Sequence, residues 1–313
     1  MNKGRIIGLW LMICGCSVLQ AQDGNAPSFS LPVVPEMLTT QETRANFVVS
    51  HYWDNFDFTD KRYLSHGEMV EQLFVDFINI MPLTDARTAE KAASAMMGKA
   101  CDGKVLKDMF NDLADKYLYD PNSPMRNEDS YIWMLRVLTD RETDATLKSR
   151  HQARIQMLLK NRPGDKATDF TVTLANGKKV SLSEIKTDYT LIFFNNPDCE
   201  DCQRIKNAMA ASKTLTEAVK RKKMTILAVY PDGDIPLWKS ASYPSMMING
   251  YDAGMTLLRK GLYDLKAIPT LYLLGKGRTV LLKDTSLEEI EKKMLRHHYN
   301  YITSLNLYAP NCL

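Results

Sequence analysis

A Cys-x-x-Cys motif lies where an apolar run gives way to a helical pattern, and this junction constrains the fold more than any other stretch. Residues 191–194 (LIFF) predict a buried strand, and Cys199 and Cys202 follow a short turn and precede a helical pattern. The start of a helix offers unpaired N–H groups and a partial positive charge, which favour a thiolate on the first cysteine. The two-residue spacing lets the second cysteine reach back and close a disulfide. The junction therefore indicates redox chemistry.

A structural cysteine pair or half of a zinc site is the alternative interpretation of this motif. Zinc would need two further ligands at compatible spacing. After Cys202 the only Cys or His residues are His297, His298 and Cys312, all close to the end of the sequence. The two histidines are adjacent rather than one helical turn apart, which argues against a shared metal. The sequence predicts neither a metal nor another cofactor here.

A second landmark lies downstream, where Ile268-Pro269 precedes the apolar run 271–274. With the strand–CxxC–helix pattern, it makes residues 162–299 resemble a thioredoxin-like domain of the TlpA/ResA and AhpC-related type. The resemblance implies an α/β fold in which Cys199 is the nucleophile and Cys202 the resolving thiol. It also implies that Pro269 is a cis proline facing the dithiol and that Ile268 offers its backbone to the substrate. The alternative for Pro269 is a trans proline opening an ordinary strand, because only about 5–6% of X–Pro bonds are cis.

The sequence departs from this family at two positions. Thioredoxins carry a buried acid six residues before the first cysteine, where this chain has Phe193, and Asp198 replaces the usual aromatic residue before the motif. The proton acceptor for Cys202 is therefore unassigned, with water and Glu200 as candidates. Asp198 and Asp201 also suit the start of the helix, with Asp198 as the N-cap.

The leading hypothesis is an exported enzyme, a thiol–disulfide oxidoreductase that acts on protein disulfides and is recharged by an unidentified electron donor. Asp198, Glu200 and Asp201 crowd negative charge around Cys199, which disfavours the thiolate and favours a reductant. Two alternatives remain: an AhpC-type peroxidase, and a non-enzymatic binding or scaffold protein. Peroxidases of that type use a P-x-x-x-T-x-x-C context, and the threonine is missing here. The presence of both cysteines argues against a scaffold.

The first residues of the chain predict export. Lys3 and Arg5 precede a short apolar run, residues 6–13, which is too short to span a bilayer. Two processing sites compete: cleavage after Ala21, which removes a signal peptide of residues 1–21, and a lipoprotein signal ending at residue 15, with a lipid anchor on Cys16. Either gives a periplasmic or outer-membrane-anchored protein, and the anchor is the only membrane contact expected. With cleavage after Ala21 four cysteines remain, too few for a disulfide scaffold.

Residues 36–161 predict an all-α domain. Apolar residues recur at spacings of three and four over residues 68–81, and the aromatic run 53–58 (WDNFDF) is more typical of a core than of a ligand platform. The region is similar to a helical domain of unknown function that precedes thioredoxin-like modules in some secreted bacterial proteins. His51, His66 and His151 lack ligand spacing, and a net charge of +3 shows no nucleic-acid footprint.

The elements of the second domain follow from its turn signals. Asn176-Gly177 predicts a hairpin, and residues 225–230 predict a strand parallel to the first. Residues 231–267 are interpreted as an insertion whose Trp238, Tyr243, Met246 and Met247 either line a substrate groove or pack onto the sheet; packing is favoured. A hairpin at 271–274 and 280–283, a last helix capped by Ser286 and a tail, 300–313, complete the chain.

Overall fold

The computed structural model describes residues 27–296, which divide into two compact units between Gln152 and Ala153. This division lies a little before the predicted boundary at residues 161/162, and the predicted domain limits stay a prediction. The export signal, Cys16, His297, His298, Cys312 and the predicted tail lie outside the described residues. Among the helices of residues 27–296, none is both long enough and apolar enough to cross a bilayer.

The first unit is built from α-helices, and the last of them, α6 (Ala145–Leu158), runs across the division. Polar N-caps begin four of them, since Thr40, Asp85, Asn127 and Asp144 each accept a hydrogen bond from the backbone N–H three residues on. A single π-helical turn, Asp115–Tyr119, extends the fourth helix. The helices are α1 Gln41–His51, α2 Gly67–Ile80, α3 Ala86–Gly103, α4 Lys107–Ala114, α5 Glu128–Arg141 and α6 Ala145–Leu158.

The core of the helical unit is aromatic. Trp53 is 4% exposed, and its ring centroid lies 5.1–5.8 Å from those of Phe56, Phe58, Phe77 and Phe110. Offset and edge-to-face pairs at such distances add to the free energy gained by burial. The predicted stripe of α2 is buried as well. The interpretation of residues 53–58 as core is confirmed.

The second unit contains a mixed seven-stranded sheet in the order β2-β1-β5-β4-β3-β6-β7. Strands β3, β4 and β5 are parallel to one another, and every other pair is antiparallel. Residues 287–296 are helical. The strands are β1 Thr171–Leu174, β2 Lys179–Ser181, β3 Tyr189–Phe194, β4 Met224–Tyr230, β5 Met247–Tyr251, β6 Thr270–Leu274 and β7 Val280–Leu282; the remaining helices are α7 Glu200–Ala211, α8 Lys213–Lys220, α9 Ile235–Ser240 and α10 Thr256–Arg259.

Strand β3 is a central strand, hydrogen-bonded to β4 and β6, and it is buried because an apolar cluster covers each face of the sheet. Its side chains alternate between two apolar clusters. Leu191 and Phe193 lie in the cluster that contains Cys202, and Ile192 and Phe194 lie in the cluster on the other face. The Cys-x-x-Cys motif therefore directly follows a strand that lies in the middle of the core. The thioredoxin-like α/β fold, both predicted hairpins and the parallel β3–β4 pair are confirmed.

Strand β5 was not expected, because residues 231–267 were interpreted as an insertion. Instead, Met247–Tyr251 pairs with β4 on one side and with β1 on the other. The segment is short and contains Gly250, so it lacks the apolar run that marked the other inner strands. A Cβ on Gly250 would lie 2.7 Å from a methyl carbon of Val172, so only glycine fits under that side chain.

Candidate active site

Cys199 is the N-cap of α7. Its backbone is extended (φ −87°, ψ 117°), and its sulfur accepts a hydrogen bond of 3.1 Å from the backbone N–H of Cys202. The expected N-cap, Asp198, lies one residue outside the helix with its side chain exposed. A sulfur at this position receives the free N–H groups of the first turn, and their partial charge stabilises an anion there. The N–H groups at the start of α7 therefore interact with the sulfur of Cys199 and not with the carboxylate of Asp198.

The two cysteines differ in their access to solvent. Cys199 is partly exposed, whereas Cys202 is 2% exposed, and both are free thiols. Burial, followed by a hydrogen bond with Cys199, raises the pKa of Cys202 to about 12, and a hydrogen bond from the backbone N–H of Asn196 partly offsets this rise. An accessible sulfur and a protected one therefore lie side by side.

The loop before β6 reaches the same place. The carbonyl oxygen of Ile268 lies 3.7 Å from the Cys199 sulfur, within hydrogen-bonding distance for a thiol. The Ile268–Pro269 peptide bond is cis, as the resemblance implied. Thr270 fixes the loop, since its hydroxyl donates to the carbonyl of Ala267 at 2.5 Å. The four residues singled out from the sequence thus belong to two segments that meet at Cys199.

Position 193, where thioredoxins carry a buried acid, has apolar surroundings in the structure. Phe193 is fully buried in the cluster that contains Cys202. The nearby carboxylates of Asp198, Glu200 and Asp201 are exposed, and Asp201 forms an ion pair of 2.8 Å with Arg204. Solvent screens exposed charges strongly, so their effect on Cys199 is smaller than their number suggests.

Sequence reasoning missed one polar pair beside the dithiol. Asn195, which follows β3, is 2% exposed, and its side-chain oxygen accepts a hydrogen bond of 2.6 Å from the hydroxyl of Tyr243. Tyr243 was expected only to line a groove or to pack on the sheet, and it is half-buried against the cluster of Cys202. The available signal was an asparagine directly after a wholly apolar strand. Of the other three insertion residues, Trp238 and Met247 are buried and Met246 packs against the same cluster as Tyr243, which favours packing over a groove.

A metal site gains no support in the described part of the chain. Within residues 27–296, no three His, Cys, Asp or Glu side chains converge as metal ligands would.

Two family models match the chain. One is a domain of unknown function (DUF5106), which matches residues 16–161, and the other is the AhpC/TSA family, which matches residues 163–242. A comparison with curated proteins found no match.

Solved structures from Bacteroides are similar to this chain. The crystal structure of a thioredoxin-like protein from Bacteroides caccae is 42% identical, with 86% of this chain and 98% of that chain covered and a TM-score of 0.82. The C-terminal domain of an uncharacterized protein from Bacteroides fragilis is 42% identical over 43% of this chain and 98% of that chain, with a TM-score of 0.43. The thioredoxin domain of a thiol-disulfide oxidoreductase from Bacteroides vulgatus is 22% identical over 44% of this chain and 97% of that chain, with a TM-score of 0.38.

Proposed function

The chain belongs to the thioredoxin-like proteins, with a domain of unknown function (DUF5106) ahead of an AhpC/TSA family domain, and we propose that it is an exported thiol–disulfide oxidoreductase. Its substrates are protein disulfides, and an external dithiol recharges it. Cys199 is the nucleophile and Cys202 the resolving cysteine, while Ile268 and Pro269 form the loop against which the substrate lies.

The reaction starts at the accessible sulfur. The Cys199 thiolate attacks one sulfur of the substrate disulfide, so a Cys199–substrate S–S bond forms as the substrate S–S bond breaks. The departing substrate sulfur takes a proton from water. The free N–H groups at the start of α7 stabilise the thiolate before the attack.

The second step uses the buried sulfur. Cys202 loses its proton to solvent and attacks the Cys199 sulfur, which releases the second substrate thiol and leaves a Cys199–Cys202 disulfide. The substrate disulfide has then gained two electrons, and the protein dithiol has lost two. The external dithiol reverses this change by the same two exchanges. Burial raises the pKa of Cys202, so this thiol is protonated in the reduced protein near neutral pH.

One observation carries this proposal. A partly exposed sulfur caps a helix 3.7 Å from the Ile268 carbonyl, while the sulfur one turn along is buried. A scaffold has no need of two thiols arranged in this way. The carboxylates around Cys199 favour a reductant, weakly because they are exposed, and the short apolar start of the sequence supports export to the periplasm, with or without a lipid on Cys16.

Reduction of insulin by dithiothreitol tests the proposal. The protein should accelerate precipitation of the reduced insulin chains, and Cys199→Ser should not accelerate it. Hydrogen peroxide consumption by the same preparations forms the second arm. Insulin reduction that stays at the uncatalysed rate would contradict the proposal; peroxide consumption that requires Cys199 would then identify the peroxidase alternative, and its absence would identify the scaffold.

A further inference from the structure

The loop that carries Ile268 is fixed ahead of this residue by buried polar contacts. The side chains of Asp264 and Lys266 form an ion pair of 3.0 Å, and both are largely buried. The hydroxyl of Tyr263 donates to the carbonyl of Thr168 at 2.7 Å. Separation of a buried ion pair is strongly disfavoured, because either charge alone would lie unpaired in the interior. These contacts fix the chain up to Lys266.

Thr270 fixes the chain on the other side of the loop. This residue is 1% exposed and begins β6, where it lies opposite Phe194, the last residue of β3. Its hydroxyl reaches back across the loop and donates to the carbonyl of Ala267 at 2.5 Å. The Ala267 carbonyl and the Ile268 nitrogen belong to one planar peptide group. The hydroxyl of Thr270 therefore fixes the peptide group that directly precedes the Ile268 carbonyl.

The Ile268 carbonyl faces the nucleophile. Its oxygen lies 3.7 Å from the Cys199 sulfur, and the thiol is the donor in the reduced protein. Once this sulfur is bonded to a substrate it carries no hydrogen, so the carbonyl needs another donor. A polypeptide brings backbone N–H groups beside its disulfide, whereas a small disulfide without amide groups brings none. A carbonyl held at this place therefore favours polypeptide disulfides, since an acceptor without a donor raises the free energy of the complex.

We propose that Thr270 is a positioning residue that makes the protein favour polypeptide disulfides. Through the Ala267 peptide group, its hydroxyl holds the Ile268 carbonyl beside Cys199, where a backbone N–H of the substrate replaces the Cys199 S–H as the donor. The inference rests on the proposed function, because it concerns the first exchange of that reaction. In that exchange the Cys199–substrate S–S bond forms as the substrate S–S bond breaks, and Thr270 takes part in neither bond.

Single-turnover oxidation of the reduced protein separates this role from a general disturbance of the site. Insulin is the polypeptide substrate, and bis(2-hydroxyethyl) disulfide, which has no amide group, is the small one. Acid quenching, alkylation of the remaining thiols and mass spectrometry give the fraction of protein with a Cys199–Cys202 disulfide at each time. Every protein carries serine at its other cysteines. The disulfide is kept in the range where the rate is proportional to its concentration, so the rate constant reports the first exchange.

The variants remove the hydroxyl, keep it, or remove a comparable one elsewhere. Thr270→Val and Thr270→Ala remove it, and Thr270→Ser keeps it. Thr139→Val is the matched control, because Thr139 is also buried and its hydroxyl donates to a backbone carbonyl, that of Leu135 at 2.6 Å, but in α5 of the helical unit.

We expect Thr270→Val and Thr270→Ala to lower the rate constant with insulin about two- to tenfold, which is the effect of one net hydrogen bond. The rate constant with the small disulfide should change by less than about twofold, because the thiol whose acceptor is displaced is only a weak donor. Thr270→Ser and Thr139→Val should match the parent protein with both disulfides.

An unchanged rate constant with insulin, or losses of equal size with both disulfides, would overturn the inference and leave the proposed function standing. A loss of the same size in Thr270→Ser or in Thr139→Val would also overturn it. A parent protein that forms no Cys199–Cys202 disulfide with insulin would instead remove the proposed function, and the inference with it.

Discussion

Each unit of this chain buries a cysteine, Cys101 in the helical unit and Cys202 in the unit with the sheet, and their surroundings differ. Cys101 lies in the last turn of α3, where the helix presents its partially negative end. Burial raises its pKa, and the nearby Lys107–Glu142 ion pair acts in both directions. Cys202 lies in the first turn of α7, beside a second cysteine that caps the helix.

The difference shows that burial of a thiol does not by itself make a redox site. A thiol becomes reactive when it is accessible and its thiolate is stabilised, as it is at the positive end of a helix in a Cys-x-x-Cys motif. The helical unit uses its polar groups for structure: Lys107 and two backbone N–H groups all bond to the carboxylate of Glu142. In the other unit, the Cys199 sulfur accepts the backbone N–H of Cys202 and lies 3.7 Å from the carbonyl oxygen of Ile268.

Substitution of a single cysteine by serine gives the largest expected effect on the rate of insulin reduction. Cys199→Ser should abolish acceleration of insulin reduction, because an alcohol at this position does not ionise near neutral pH. Cys101→Ser, the matched substitution in the helical unit, should leave the rate unchanged for the folded protein. Comparable losses from both substitutions would break the contrast between the two thiols.

The two units should lose stability at opposite ends of the pH scale. The pKa of Glu142 is lowered from 4.5 to about 2 by its bond with Lys107, so its contribution is present above 4.5 and is lost as the pH falls towards 2. The pKa of Cys202 is raised from 9.0 to about 12, so its contribution is present below 9.0 and is lost as the pH rises towards 12.

Urea denaturation followed by fluorescence can separate these effects, with Trp53 and Trp133 reporting the helical unit and Trp238 the other. Glu142→Gln should make the free energy of unfolding of the helical unit less dependent on pH below 4.5, and it should leave the other unit unchanged. Cys202→Ala should make the free energy of unfolding of the unit with the sheet less dependent on pH above 9.0, and it should leave the helical unit unchanged. If either substitution flattened the transition of the other unit, the assignment of these groups would be wrong.

Matched glycine substitutions should have opposite signs in the two units. Gly98→Ala in α3 meets side-chain atoms only at 3.9 Å and beyond, so it should stabilise the helical unit by up to about 1 kcal/mol. Gly250→Ala in β5 meets Val172 at 2.7 Å, and overpacking there should cost about 1–3 kcal/mol. The same two tryptophan transitions measure both changes. A stabilised Gly250→Ala would mean that β5 has room to move away from β1.

The smallest expected effect concerns the reduction potential. We expect a value near the roughly −270 mV of thioredoxin rather than the roughly −120 mV of strong oxidants. Glu200→Gln with Asp198→Asn should raise it by about 10–30 mV, because removing negative charge favours the thiolate but exposed charges are screened. Equilibration with glutathione or dithiothreitol buffers measures both. A parent value above about −150 mV would reverse the proposed direction.

Local patterns predicted most of the site's scaffold, and long-range contacts account for what they missed. The β3–Cys199–α7 junction and the Asn176-Gly177 hairpin were readable because each is encoded within a few neighbouring residues. Strand β5 could not be predicted in this way, because the need for glycine at position 250 comes from contact with Val172 in another strand. The Tyr243–Asn195 bond joins segments 48 residues apart, a pairing that no local pattern could indicate.

The central claim is that Cys199 bonds covalently to a substrate disulfide and that Cys202 releases it. Incubating insulin with the Cys202→Ser variant and separating the products without reductant tests this directly. The account predicts a protein–insulin adduct that dithiothreitol releases, with the mixed disulfide mapped by mass spectrometry to Cys199, and little adduct for the parent protein. No adduct with Cys202→Ser, or one mapped to Cys101, would contradict the account.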